Sequence, residues 1–128
     1  MMVFLICAGL LGLLAVALTV NVGAMRGRKK IFLGDGGDPE MLAAIRAHAN
    51  LVEFVPLALL LIWLLRGPYG NLTIAVLAIL LTVGRLLHAG GMLGHLKGGR
   101  AIGAVLTTVV LAIASALLIL SGFSIRLY

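Results

Sequence analysis

The chain has 128 residues, of which 62% are hydrophobic and 11% charged, and a formal net charge of +6. A soluble domain of this size has no interior large enough to hide that apolar content, so lipid must solvate much of its surface. The basic residues gather at the ends of apolar runs, which marks membrane topology and anionic-lipid contact and argues against a nucleic-acid partner.

The first apolar segment covers residues 2–24, about 35 Å as a helix and enough to cross a hydrocarbon core of about 30 Å. Nothing basic precedes it, whereas Arg26, Arg28, Lys29 and Lys30 follow it. The positive-inside rule therefore places the N-terminus outside and the basic cluster in the cytoplasm, and a cleaved leader is not expected. Ala8, Gly12, Ala15 and Thr19 recur at helical spacing and are expected to form a packing face. Cys7, the single cysteine, lies in this run; it has no intramolecular disulfide partner and reads as a small packing residue.

A polar loop follows, and Asp38-Pro39-Glu40 announces the next helix. Asp38 suits the cap, Pro39 the first helical position, and Glu40 the positive end of the dipole. This second segment, residues 39–66, is apolar in its second half and polar on one face of its first half. Arg46, Asn50 and Glu53 are spaced i, i+4, i+7 and so share that face. A charged group at membrane depth costs roughly 2.5–3.5 kcal/mol, so three polar groups on one face must meet protein, water or a ligand. His48 lies about 200° round the helix from Arg46 and is expected to face a neighbour. Trp63 and Tyr69 near the outer boundary read as interfacial aromatics.

The third segment, residues 72–96, is apolar until Arg85 and His88. Measured inward from Arg66 and Leu72, Glu53 and Arg85 fall about 20 Å deep, which predicts that these two side chains form an ion pair between adjacent antiparallel helices. On the same count Asn50 is level with His88. A short basic loop containing Lys97 and Arg100 leads to the fourth segment, residues 101–123, which ends near Arg126. Ala104, Thr108, Ala112 and Ser115 are expected to be its packing face. His88 and His95 lie about 10 Å apart along a helix and no thiolate or carboxylate completes a set, so no metal site is expected. The predicted architecture is an all-α integral membrane protein, one four-transmembrane-helix domain over residues 1–128 with both termini outside. Its polar constellation of Arg26, Arg46, Asn50, Glu53, Arg85, His88 and Arg100 faces the cytoplasmic side. Net positive charge, an amide and a helix N-terminus suit an anionic ligand, and an arginine beside a thiol favours the thiolate.

The run Arg46-Ala47-His48-Ala49-Asn50-x-x-Glu53-x-x-Pro56, with Val83-Gly84-Arg85-x-x-His88 and the basic second loop, resembles the MAPEG family (membrane-associated proteins in eicosanoid and glutathione metabolism). The resemblance runs from Arg26 through Arg100. It implies a homotrimer that holds glutathione between neighbouring subunits near the cytoplasmic face. It also implies that Arg26, Arg46, Asn50, Glu53 and His88 contact glutathione and that Arg100 stabilises its thiolate. The implied activity is transfer of the glutathione thiol to a hydrophobic electrophile from the bilayer, or a peroxidase reaction, with glutathione as the only co-substrate. Met92 stands where several members carry a tyrosine, Ala49 where some carry an arginine, and Ala101 and Ala104 where one pattern has serine and tyrosine. These departures keep a second reading open, a non-enzymatic lipid-binding or scaffold protein on the same fold. A transporter or channel is less well supported, because no polar path runs the full length of segment two.

Overall fold

The structure, a computed structural model, describes residues 1–125. Its elements are four helices: α1 (Met2–Lys29), α2 (Pro39–Leu64), α3 (Asn71–Met92) and α4 (Gly99–Ile125). Each is long and apolar enough to span a membrane. Arg126 lies outside the described residues.

The helix boundaries follow local chemistry. Asp38 Oδ1 accepts the Met41 backbone N–H at 2.8 Å, and Pro39 occupies the first turn where no intrahelical donor is needed. Lys29 Nζ bonds Asp38 Oδ2 at 2.6 Å and Glu40 Oε2 at 2.8 Å, tying the end of α1 to the start of α2. This pairing, which holds the Asp38 carboxyl below the usual carboxylate range, was not anticipated from sequence. α2 continues through Pro56 to Leu64. At the far end Arg66 lies 5.2 Å above the Trp63 ring, and the Tyr69 hydroxyl donates to the Leu117 carbonyl at 3.3 Å. Both aromatics sit at this end of the bundle, as their expected interfacial role requires.

α3 is the central helix. It packs on α1, α2 and α4; α4 also touches α2, while no close backbone approach of α1 and α4 occurs among the described residues. Half of the α3 span is buried, against 22–28% of the other spans, so three helices present broad surfaces to lipid or to other chains. The tightest crossing is α3 on α4. A methyl group at Gly103 would collide with the Gly84 carbonyl, and one at Gly91 would collide with the Arg100 backbone nitrogen. At Gly99 it would lie 2.6 Å from the Leu87 carbonyl. Small residues thus let the two backbones meet directly, the usual means of helix association in lipid.

The packing faces differ from those expected. Among the described residues of α4 the buried ones are Gly99, Gly103, Thr107, Val110, Ala114 and Ser121, whereas Ala104, Thr108 and Ala112 are exposed. The true face is therefore shifted by about one residue, or 100°. On α1 the buried residues are Phe4, Cys7, Leu11, Leu18 and Met25; Gly12 and Thr19 are exposed and Ala8 and Ala15 lie on the flank. Large side chains fill the wide α1 interface, while close approach is reserved for α3 and α4.

Candidate functional site

The site is built on the half of the bundle that carries the basic loops. Arg46 and Asn50 come from α2, His88 and Met92 from α3, and Arg100 from the first turn of α4. These five residues line one cavity of about 120 Å³. The short α3–α4 turn brings Arg100 back beside His88, with Gly94 (φ 80) and Gly98 (φ 75) supplying left-handed conformations that other residues adopt with strain. The Gly91 and Gly103 contacts then fix how close the two helices lie.

Arg85 lies behind Asn50 and His88 without lining the cavity itself. Its side chain is 1% exposed, and its Nη2 donates to Asn50 Oδ1 at 2.8 Å. Nη1 reaches Thr107 Oγ1 at 3.5 Å, and that hydroxyl itself donates to the Gly103 carbonyl at 2.8 Å. Nη2 also stands 3.5 Å from His88 Nδ1. Nε has no hydrogen-bond partner. A guanidinium has only donors, so Nδ1 of His88 must accept and its ring proton must reside on Nε2. The same logic applies to Asn50, whose oxygen is occupied by Arg85 and whose amide nitrogen is left to donate. Together with Arg46 and Arg100, the cavity residues therefore offer donors and positive charge. Such a lining suits a carboxylate or a thiolate and repels a cation.

The expected ion pair between Glu53 and Arg85 is not formed. Glu53 Oε1 lies 3.6 Å from Arg46 Nη1 on its own helix, both side chains being about half exposed (49% and 51%). Arg85 bonds Asn50 instead. The reason is where the helices end. α2 stops at Leu64 and α3 starts at Asn71, so Asn50 and Arg85 each lie fourteen residues from that end, and Glu53 lies three residues nearer to it. The buried cation is consequently solvated by an amide, a hydroxyl and an imidazole, with no carboxylate among its bonded partners.

The remaining candidates separate. Arg26 stands apart from the cavity, and its Nη1 donates to the Ile31 and Gly34 carbonyls, each at 3.0 Å. Glu53 does not line the cavity either. His48 Nε2 meets Thr19 Oγ1 at 3.0 Å, so it faces α1 as its angular position predicts. Cys7 is buried in the apolar core. His95 is exposed and lines a separate, larger cavity of about 450 Å³ with Asn21, Met25 and Glu40. Thr107 was missed by sequence reasoning. The available signal was its position one turn after Gly103, on the face that approaches α3.

Comparison with known proteins agrees with this arrangement of helices. The model of the MAPEG family matches residues 4–120. The chain is also similar to the Escherichia coli inner membrane protein YecN, from strain K12 and from strain O6:H1. Each is 33% identical over 91 residues, covering 70% of both chains.

Proposed function

The chain belongs to the MAPEG family, and from that premise we propose that it binds glutathione and transfers its thiol to hydrophobic electrophiles dissolved in the bilayer. The observation that carries this reading is the convergence of Arg46, Asn50, His88 and Arg100 on one donor-rich cavity. Carboxylates of the peptide would bond the Arg46 guanidinium, the Asn50 amide and His88 Nε2–H. The Arg100 guanidinium would stabilise the sulfur as thiolate, the proton leaving to water. The sulfur lone pair then forms the new bond to the electrophilic carbon as the leaving group departs with the bonding electrons.

The cavity is smaller than the roughly 300 Å³ at which small-molecule sites begin, so one chain supplies only a wall. Arg46 and Glu53 are half exposed on a helix apolar and long enough to span the membrane, where a charged side chain facing lipid is costly. Both facts support a site completed by another copy, as in the expected homotrimer. In that assembly Arg26 would reach the ligand from the neighbouring subunit, and the site would open on the cytoplasmic side.

The test is an ultraviolet difference spectrum of the purified protein titrated with glutathione. A thiolate band at neutral pH that disappears in Arg100→Ala is the expected result. Arg100→Ala should also lower turnover more than glutathione affinity. The absence of a band at saturating glutathione would overturn thiol activation. A second reading, a lipid-binding protein without chemistry, is favoured by Met92, which lines the cavity and offers no hydrogen-bond donor. It is also favoured by the wholly apolar groove of about 410 Å³ along Ala101, Ile102, Val105, Leu106 and Val109. Co-purified lipid in place of glutathione would establish it.

A further inference from the structure

The loop between α1 and α2 holds two large apolar side chains outward. Phe32 is 80% exposed and Leu33 92%, whereas the adjacent Ile31 turns inward to pack with Met25, Met41 and Ala44. This arrangement is constrained at both ends. Lys30 adopts the left-handed conformation (φ 57, ψ 33), which sends the chain across the end of α1 rather than onward. Arg26, one turn deeper, donates from a single nitrogen to the carbonyls of Ile31 and Gly34, which bracket the apolar pair. At the other end Lys29 grips Asp38 and Glu40.

Charge surrounds this tip in a specific way. Arg28 and Lys30 are exposed and make no ion pair among the described residues, while Lys29 is consumed by its two carboxylates. Asp35, the acidic residue within the loop, accepts the Gly37 backbone N–H at 3.0 Å. Two cations with no ion-pair partner among the described residues therefore flank two projecting apolar side chains at the end of α1. Water is a poor partner for such a pair, and an acidic, apolar boundary is a good one.

We propose that Phe32 and Leu33 insert into the bilayer interface and that Arg28 and Lys30 bind anionic phospholipid head groups there. The loop is then a lipid contact made by Arg28, Lys30, Phe32 and Leu33, none of which the glutathione reading uses. Arg26 preorganises it by holding the tip in its inserted shape.

The experiment places a reporter at the tip. Trp63, the single tryptophan, lies at the opposite end of the bundle. The variant Phe32→Trp in a Trp63→Phe background is reconstituted, full length, into bilayers of phosphatidylcholine with or without phosphatidylglycerol. The expected result is blue-shifted emission, protection from aqueous iodide, and quenching by phospholipids brominated near the head group. Brominated phosphatidylglycerol should quench in preference to brominated phosphatidylcholine. Arg28→Gln and Lys30→Gln should each lower that preference by about fivefold, the worth of one basic charge near an anionic surface. Water-like emission open to iodide would overturn the insertion. Emission shielded from iodide but untouched by brominated lipid would mean that a second copy covers the tip, and would overturn it equally. An unchanged preference in both glutamine variants would remove the head-group contact.

Discussion

Arg85 and Asn50 face each other across the α2–α3 interface, with Nη2 2.8 Å from Oδ1. This bond decides the polarity of the site. By occupying the amide oxygen it leaves the amide nitrogen to donate, and by approaching His88 Nδ1 it does the same for the imidazole. Arg85 does not line the cavity, yet it sets what Asn50 and His88 present to it.

Asn50→Leu removes the best hydrogen bond of a buried guanidinium and should cost about 1.5–3 kcal/mol of stability. Thermal unfolding in a fixed detergent checks this. Asn50→Asp is expected to act in the opposite sense on stability, because it gives Arg85 a counter-charge. It should nonetheless weaken glutathione binding, since an acceptor then replaces a donor and the local positive charge is cancelled. Equal glutathione affinity in Asn50→Asp and the parent would show that this polarity is irrelevant to the ligand.

The Arg46–Glu53 pair is exposed, long at 3.6 Å, and lies along one helix. Its contribution to the isolated fold should be below about 1 kcal/mol. Glu53→Gln is therefore expected to leave the unfolding midpoint nearly unchanged. A fall of about tenfold in glutathione affinity, corresponding to about 1.4 kcal/mol, would then report ligand contact directly. A large loss of stability with unaltered affinity would assign Glu53 to the scaffold instead.

The α3–α4 crossing should be intolerant of a single methyl group. Gly103→Ala places carbon against the Gly84 carbonyl and the backbone of His88. The expected cost is about 1–3 kcal/mol, and the shift should move Arg100 away from His88. Gly12→Ala is the control, because nothing lies within 4 Å of the added carbon. There the expected change is a gain of about 0.5–1 kcal/mol from helix propensity. Unfolding midpoints and glutathione titrations of the two variants separate packing from propensity.

Asp38 gives the fold a defined acid limb. Lys29 and the Met41 N–H hold its folded-state carboxyl below the ordinary value, so folding favours the charged form. The stability it contributes is fully present above the unfolded carboxylate pKa of about 3.9. It is lost as pH falls below that value and through the lower folded one. Asp38→Asn retains a capping oxygen but loses the titration. Melting midpoints measured from neutral pH downward should converge for the two proteins at the acid end. Parallel curves throughout would exclude Asp38 as a source of the acid sensitivity.

Much of this molecule was legible before any coordinates. Hydropathy gave the spans, since lipid admits only runs whose backbone is satisfied within the helix. Asp38-Pro39-Glu40 gave the start of α2 because capping is local chemistry. The i, i+4, i+7 rule placed Arg46, Asn50 and Glu53 on one side of α2. The two small-residue stripes misled, because one residue changes helical azimuth by about 100° and sequence alone gives no azimuthal origin. The glycines at positions 91, 99 and 103 were the better signal, since each meets backbone atoms of the facing helix first.

By itself, then, the sequence determined that the chain crosses a membrane four times and that a cluster of arginines with an asparagine, a glutamate and a histidine gathers at one end. Periodicity and transfer free energy act within a segment and need no partner. Only the tertiary structure decided which polar groups meet: Arg85 with Asn50, Glu53 with Arg46, Arg26 with its own loop. Those pairings depend on where α2 stops, where α3 begins and how closely α3 crosses α4. A displacement of one helical turn, about 5.4 Å, exchanges one hydrogen-bond partner for another.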